Sequence, residues 1–380
     1  MNITIGGDLC ITPPFVFNNL FDKSIVEIFE KSDYNIVNLE CPVTQAVDKN
    51  KIVKTGPHLR TDAAIFEKLK ELNVHAVSLA NNHILDYGEK GLKHTLDGCI
   101  KNGIEIVGAG MNLTEASKSL IIEKNNKKIA FVNFCENEWS VASTGSGGAN
   151  PMDTIDNLAQ IENAKQHADY VIVIVHGGHE YYHLPSPRMV KLYRFYTENG
   201  ADAVIGHHTH CISGYELYQN VPIAYSLGNM LFTLDSQYTR WYTGLIAQLH
   251  INKGNPIKLE LLPIRQTPQT FILNELHNAE KENILTQVKL FSKIINNPSE
   301  LENEWAKFVE IKSKTINIFS PVNALPGKYI RAGLNCLGIN RLFLKEKNLT
   351  QILNYIRCEA HRDLIIETMK KIKINENSHT

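Results

Sequence analysis

The 380-residue sequence lacks the features that mark several common classes of protein. Its seven cysteines are scattered and form no CxxC pair, which argues against a disulfide framework and against a structural zinc site. The longest apolar run, YVIVIV, is far shorter than the roughly 20 residues that a membrane-spanning helix needs. The first residues, MNITIGGD, do not combine a basic segment with an apolar stretch, as a signal peptide does. We therefore expect a cytoplasmic protein without a membrane span.

An excess of either charge is also missing, because 39 lysines and arginines nearly balance 40 aspartates and glutamates. No overall field draws such a chain to nucleic acid, so we expect no nucleic-acid partner. The glycine-rich stretch STGSGG, Ser143 to Gly148, lacks the lysine and the following helix of a phosphate-binding P-loop. An anionic substrate must then be held by the groups of a local site.

What the sequence does have is a large apolar fraction, 43%, and an alternation of strand-like and helix-like segments. Amphipathic stretches such as TDAAIFEKLKEL, EKGLKHTLDGCIKNG and RMVKLYRFYTENG lie between short β-branched runs. This alternation predicts an α/β fold with a largely parallel sheet and helices packed outside it. The strand candidates are NITI, NIVNL, HAVSLA, IEIVG, KIAFVNF, YVIVIV and ADAVIG.

The pattern changes twice further along the chain. After Gly206, segments such as TGLIAQLHI and PIKLELLPI predict antiparallel strands joined by turns. From about Gln269 the chain becomes lysine-rich, with apolar residues at helical spacing. We expect a main domain of residues 1–268 and a helical C-terminal extension of residues 269–380.

Polar residues of metal-binding type follow five of the predicted strands. Because the carboxyl ends of the strands in an open α/β sheet form its ligand-binding crevice, these side chains should converge. Carboxylates, an amide oxygen and imidazoles together are typical of a site for a divalent transition metal. The residues are Asp8, Glu40, Asn82 with His83, His176, and the histidines His207, His208 and His210.

Each of these residues has an ordinary alternative role. Asp8 could cap a turn or a helix, Glu40 could be a solvated strand end, and His176 could be a hydrogen-bonded polar group. His208 and His210 are harder to explain without a metal, because alternate residues of an extended segment face the same way. The agreement among five strand ends favours a metal site over the separate alternatives.

The motifs GD, NLE, LANNHxLDYG, HGGxEY, GHHTH and YSLGN resemble those of the CapA/PgsA family of capsule and poly-γ-glutamate synthesis proteins. That family belongs to the calcineurin-like metallophosphoesterase superfamily, and the resemblance runs from about Asn2 to Phe232. It implies a four-layer αββα sandwich, in which two sheets are flanked by helices and metal ions are held at one edge.

The resemblance also implies roles for individual residues. His83 would be the general acid, and Asp86 would orient its ring. Glu180 and Tyr181 would line the substrate pocket. The metal ligands would be Asp8, Glu40, Asn82, His176, His208 and His210.

The loop KTGPHLRTD adds a candidate substrate ligand on chemical grounds alone. Arg60 has a planar guanidinium that suits carboxylate and phosphate alike, so we expect it to bind an anionic group. Lys54, in the same loop, could meet an anion there or could equally be a solvated side chain.

Two departures from the superfamily pattern leave the number of metal ions and the reaction open. Cys10 stands where the superfamily has a metal-binding histidine, so the first ion could be weak, absent or held by the Cys10 thiolate. Glu40 replaces an aspartate and is one methylene longer, which changes the distance between two ions. We expect one or two divalent ions, with Mn, Zn or Fe as the first choices.

Two functions remain open on the sequence alone. The first is a metal-dependent hydrolase or transferase that acts on a phosphoester or amide bond in capsule or cell-envelope polymer metabolism. The second is a non-catalytic, metal-containing component of a capsule or poly-γ-glutamate synthesis complex. In either case the ligand would be an anionic small molecule or polymer. The C-terminal helices could bind a partner or form a homodimer, although covering the flank of their own domain is the plainer role.

Overall fold

A computed structural model describes residues 1–13, 15–54, 56–252, 254–312, 319–339 and 343–357, together with residues 365 and 369. The chain divides into two units, Met1–Trp305 and Ala306–Thr380. Two β-sheets contain most strands of the first unit. In spatial order, the first sheet contains β16 (Leu273–Glu275), β15 (Lys258–Gln266), β14 (Thr243–His250), β1 (Asn2–Cys10), β2 (Tyr34–Leu39), β3 (Ala76–Ser78) and β4 (Glu105–Val107), with β13 (Asn229–Phe232) also paired to β1.

The strands of the second sheet come from the middle of the chain, between β4 and β13. A separate short pair joins β5 (Ala109–Gly110) to β8 (Gly148–Ala149). In spatial order, the second sheet contains β11 (Tyr215–Tyr218), β12 (Val221–Ala224), β10 (Ala203–His207), β9 (Tyr170–His176), β7 (Lys127–Cys135) and β6 (Leu120–Lys124).

Strand direction confirms the predicted α/β class. Strands β1 to β4 pair in parallel, and so do β7, β9 and β10. The expectation of antiparallel strands after Gly206 is confirmed for β11, β14 and β15. It is also confirmed for β12 on one side, where β12 pairs antiparallel with β11, while on the other side β12 pairs in parallel with β10. The expectation is wrong for β13, which pairs in parallel with β1. The chain reverses after β10 and again after β11, so β12 regains the direction of β10.

Helices follow the strands as the apolar periodicity predicted. The three amphipathic stretches named above form α2, α3 and α6. The helices are α1 (Lys23–Glu30), α2 (Ile65–Glu71), α3 (Gly88–Lys101), α4 (Leu113–Ala116), α5 (Thr154–His167), α6 (Pro187–Glu198), α7 (Asn278–Ile295), α8 (Pro298–Ile311), α9 (Lys328–Cys336) and α10 (Glu346–Arg357).

Helix α6 shows how local sequence sets the ends of these elements. The Ser186 side chain accepts a hydrogen bond from the Met189 N–H, and Pro187 occupies the first turn, where its missing N–H costs nothing. At the other end Gly200 has φ +112°, a conformation that glycine adopts without strain. Residues next to the helix in the sequence therefore set both of its ends.

Three apolar cores follow from the two-residue alternation of the buried strands. In β9, Ile172 and Ile174 belong to a core shared by the two sheets. The intervening Val171, Val173 and Val175 face the opposite side and pack with α5 and α6. A third core joins the first sheet to α1, α2 and α3. Each fully buried aliphatic side chain contributes about 1.5–3 kcal/mol, so these cores hold the strand ends rigidly.

The C-terminal part of the chain departs from the prediction at one point. The expected run of helices from Gln269 begins with a strand, β16, which extends the first sheet, and the first unit continues to Trp305. The division into a main domain of residues 1–268 and a C-terminal extension of residues 269–380 stays a prediction. Residues 313–318, 340–342 and most of 358–380 of the predicted extension lie outside the described residues. Among the helices that are described, none is long and apolar enough to cross a membrane.

Candidate metal centre

The candidate site begins at Asp8, near the end of β1. The pairing of β1 with β2 shifts in register just before this residue. A Cβ atom at Gly7 would lie 2.2 Å from the Gly228 carbonyl oxygen, so the close approach of β1 and β13 requires glycine here. The buried Asp8 carboxylate accepts hydrogen bonds from Asn38 Nδ2 at 2.7 Å and from the His208 backbone N–H at 3.1 Å.

Two groups of three side chains in the described part of the chain have the arrangement of metal ligands. Within each group, one ligand atom of every residue lies within 4.8 Å of the others. Glu40 belongs to both groups, as a carboxylate that bridges two ions would. The first group is Asp8, Glu40 and His210, and the second is Glu40, His176 and His208.

The Glu40 carboxylate is fully buried directly after β2, so Glu40 is not a solvated strand end. Neither of its oxygens has a hydrogen-bond donor within the described residues. Burial, with the nearby charge of Asp8, raises the pKa of Glu40 well above its ordinary value. A buried carboxylate without donors is costly, and a bound cation would offset that cost. The chemistry of this donor set therefore fits a divalent metal.

The second group draws on three separate segments of the chain. The Nε2 atom of His176, at the end of β9, lies 3.0 Å from Asn82 Oδ1 and 3.1 Å from His208 Nδ1. Ligands of a tetrahedral ion with bonds of about 2.0 Å are roughly 3.3 Å apart, so these separations are close to those of a ligand set. Asn82 Oδ1 thus lies next to the second group, and its role as a ligand stays a prediction.

The backbone at His208 and His210 differs from the prediction. We expected an extended segment, but β10 ends at His207, and both residues have positive φ, +88° and +55°. Left-handed backbone is uncommon for histidine and is concentrated at functional sites. The two imidazoles still reach the same site, because the turn, rather than strand alternation, directs them there.

Burial favours the neutral form of two of the site histidines. Burial, followed by the influence of His210, lowers the pKa of His208 to about 3. Burial, followed by His208, lowers the pKa of His176 well below its ordinary value. Neutral imidazole is the metal-binding form. His210 Nδ1 lies 2.9 Å from Asn229 Oδ1, a contact that orients the ring and leaves Nε2 toward Glu40.

His83 lies beside this centre in a second cluster of charged groups. Its Nδ1 is 2.7 Å from Asp86 Oδ2 and 3.1 Å from Lys54 Nζ. The Lys54 side chain is 2% exposed and forms an ion pair with Asp86. Burial lowers the pKa of His83, against the opposing effect of Asp86. Lys54 is therefore neither a solvated loop residue nor free to bind an anionic substrate.

The three predicted substrate ligands lie in different surroundings. Arg60 donates to the Ala46 carbonyl oxygen at 3.0 Å and lies over the Tyr87 ring. Glu180 is exposed. Tyr181 is 39% exposed, and its ring is 6.2 Å from that of His210, centroid to centroid. Their roles in substrate binding stay predictions, with Tyr181 placed next to the first ligand group.

Three residues of the site were missed by sequence reasoning. Asn38 Nδ2 lies 3.1 Å from His176 Nδ1 in addition to its bond with Asp8, and Asn229 orients His210. Glu138 accepts from Asn82 Nδ2 at 3.4 Å and lies 3.6 Å from His208 Nε2. Glu138 had a usable signal, since it follows the strand KIAFVNFC, whose carboxyl end faces the same crevice.

Comparison with known proteins agrees with the motif pattern. The model of the family described as "Bacterial capsule synthesis protein PGA_cap" matches residues 7–234. The chain is 36% identical over 240 residues to the PGA biosynthesis protein CapA of Bacillus subtilis, covering 62% of each chain. It is 31% identical over 249 residues to the capsule biosynthesis protein CapA of Bacillus anthracis, covering 64% of this chain and 60% of the relative.

A third relative carries a different kind of name. A Mycobacterium tuberculosis protein, named "Probable polyglutamine synthesis accessory protein", is 26% identical over 258 residues, covering 62% of this chain and 66% of that protein. The chain thus spans roughly three fifths to two thirds of the length of these curated relatives.

Proposed function

Because the chain belongs to the bacterial capsule synthesis family PGA_cap, we propose that it is a metal-dependent hydrolase or transferase of capsule or poly-γ-glutamate metabolism. The bond that it breaks would be a phosphoester or an amide. The observation that carries this proposal is Glu40, a buried carboxylate without hydrogen-bond donors that is shared by two groups of metal-ligand type. The proposed fold is the four-layer αββα sandwich of metallophosphoesterases, with residues 269–380 as a helical extension.

The metal would be one or two divalent ions, with Mn, Zn or Fe as the first choices. A bound ion supplies Lewis-acid polarisation of the reacting centre and neutralises the charge that develops there. The proposed ligands are Asp8, Glu40 and His210 for one ion, and Glu40, Asn82, His176 and His208 for the other.

His83 would exchange a proton with the leaving group. A carboxylate only accepts hydrogen bonds and a lysine ammonium only donates them, so Asp86 and Lys54 favour opposite tautomers of His83. We infer that the Asp86 contact, which is shorter at 2.7 Å against 3.1 Å, prevails and keeps the proton on Nδ1. That leaves Nε2 as the atom at which His83 takes up and delivers a proton. Lys54 balances the charge of Asp86, and Asp86 holds the ring by its contact with Nδ1.

The alternative is a non-catalytic component of a synthesis complex that binds an anionic polymer. The name of the Mycobacterium tuberculosis relative, an accessory protein of polyglutamine synthesis, favours this alternative. The metal centre would then position an anionic chain without breaking a bond. Binding of a partner or a second copy through residues 269–380, and a cytoplasmic location, stay predictions.

Hydrolysis of a generic aryl phosphate by the purified chain, with Mn or Zn added, tests the proposal. General acid catalysis typically supplies about 10²–10⁴-fold in rate, so His83→Ala should lower kcat by that amount and keep the metal. His208→Ala should lower both activity and metal content. Activity that is unchanged in both variants would reject the catalytic assignment. Bound metal with no activity on phosphoesters or amides would favour the accessory role.

A further inference from the structure

A cavity of about 330 Å³ opens directly beside the candidate metal centre. It includes His210, a member of the first ligand group, so a ligand in the cavity would adjoin the metal. Three aromatic side chains and one arginine also line it: Tyr181, Tyr238, Trp241 and Arg240. Sequence motifs indicated Tyr181, but not Tyr238, Trp241 or Arg240.

The aromatic side chains form a row of neighbouring rings that ends at His210 of the metal centre. The Tyr181 and Tyr238 rings are 4.6 Å apart and nearly parallel, at 17°. Trp241 continues the row toward His210, and the centroids of the Trp241 and His210 rings are 4.7 Å apart. Tyr238 is 59% exposed, so its ring presents a free face to an incoming group. Aromatic faces of this kind bind flat apolar rings in offset-stacked geometry.

Arg240 differs from the other arginines of the first unit. Within the residues that the structure describes there, its guanidinium has neither a carboxylate at ion-pair distance nor a hydrogen-bond acceptor. The other arginines of this unit each have an acceptor in the chain. Arg60 donates to Ala46, Arg188 to Glu136, Arg194 to Glu216 and Arg265 to Glu280.

We propose that this cavity is a specificity site for an anionic ligand that carries a flat ring. The ring stacks on the exposed face of Tyr238, whose other face packs against Tyr181. The Arg240 guanidinium binds the anionic group, a carboxylate or a phosphate, through its paired N–H donors. The inference rests on the proposed function only in taking the adjoining metal centre as the place of reaction. Binding in the cavity needs no turnover.

Calorimetric titration of the full-length chain with three small anions tests the proposal. Phenylphosphonate carries both recognised features, methylphosphonate lacks the ring, and benzoate replaces the phosphonate with a carboxylate. Stacking on an aromatic side chain predicts that phenylphosphonate binds about three- to tenfold more tightly than methylphosphonate. Arg240→Gln should weaken phenylphosphonate by about tenfold, because a charge-assisted contact is lost. Tyr238→Leu should remove the preference for the ring.

The control variant is Lys23→Gln, which removes one positive charge from an exposed side chain of α1. It should bind all three anions as the wild type does. Whichever of benzoate and phenylphosphonate binds the wild type more tightly is the preferred anion, provided that Arg240→Gln weakens the binding of that anion. The proposal is wrong if Arg240→Gln binds as tightly as the wild type, or if methylphosphonate matches phenylphosphonate. It is equally wrong if the wild type binds none of the three.

These results separate the inference from the proposed function. A chain that hydrolyses no substrate and still shows Arg240-dependent binding retains the specificity site and loses the catalytic assignment. A chain that is active but indifferent to Arg240→Gln retains the catalytic assignment and loses the specificity site.

Discussion

Glu40 and Asp86 are both fully buried carboxylates near the same crevice, but their surroundings are opposite. Asp86 forms an ion pair with Lys54, accepts the Leu59 backbone N–H at 2.6 Å and contacts His83 Nδ1 at 2.7 Å. Glu40 has no hydrogen-bond donor in the described part of the chain. Asp86 has a cation beside one oxygen and a backbone donor to the other, and Glu40 has neither within the described residues.

The difference teaches how a buried acid should be interpreted. Burial of an acid is common to both residues and therefore does not identify a binding site. The absence of an internal partner does identify a binding site, because the free-energy cost of desolvating the carboxylate is then not compensated within the chain. We infer that Asp86 is part of the scaffold that holds His83, whereas Glu40 is kept for a cation from outside the chain.

The largest effect on the free energy of unfolding is expected when Asp86 loses its internal cation and so becomes an unpaired buried carboxylate like Glu40. Lys54→Met removes the buried cation and leaves the Asp86 charge uncompensated, so the free energy of unfolding should fall by about 3–5 kcal/mol. Urea denaturation measures this loss. The matched control is Lys70→Met, which breaks an exposed pair with Glu67 and should cost less than about 1 kcal/mol. Equal losses in the two variants would remove the distinction between the two carboxylates.

The next largest effect on the free energy of unfolding is expected when a bound cation pairs with Glu40, as Lys54 pairs with Asp86. Manganese at about a hundred times its dissociation constant should raise the free energy of unfolding by about 2.7 kcal/mol, because it binds only the folded chain. Thermal unfolding with and without the metal measures the rise. In Glu40→Gln the rise should disappear, while the exposed control Glu67→Gln should keep it. Metal stabilisation that survives in Glu40→Gln would show that the ion binds elsewhere.

The smallest effect is expected for Glu40→Gln without metal. Burial already raises the pKa of Glu40 and disfavours its charged form, and neither of its oxygens has a hydrogen-bond donor to lose within the described residues, so the free energy of unfolding should change by less than about 1 kcal/mol. Asp86→Asn, compared under the same conditions, leaves Lys54 without its counter-charge and should cost several times more. A large loss in Glu40→Gln would indicate an internal partner for that carboxylate.

Much of this arrangement could be predicted from the sequence. Parallel strands place their carboxyl ends at one edge, so Asp8, Glu40, Asn82 and His176 were expected to converge before any coordinates were known. Glu138 follows the same rule and could have been found with it. The α/β class and the helices α2, α3 and α6 were predicted from apolar periodicity.

Other features depend on tertiary contacts that no local pattern encodes. Lys54 lies in a loop, and only the packing of that loop against Asp86 converts a solvated cation into a buried one. The left-handed backbone at His208 and His210 is unusual for histidine, so spacing alone predicted an extended segment. Arg240 is identified by the partners that it lacks, which no sequence pattern records.

Anomalous diffraction from a crystal soaked in manganese tests the central claim most directly. We predict at least one anomalous peak at roughly 2.0–2.3 Å from a Glu40 carboxylate oxygen, with ligands from Asp8 and His210 or from His176 and His208. No peak at Glu40, or manganese bound only at other residues, would contradict the account.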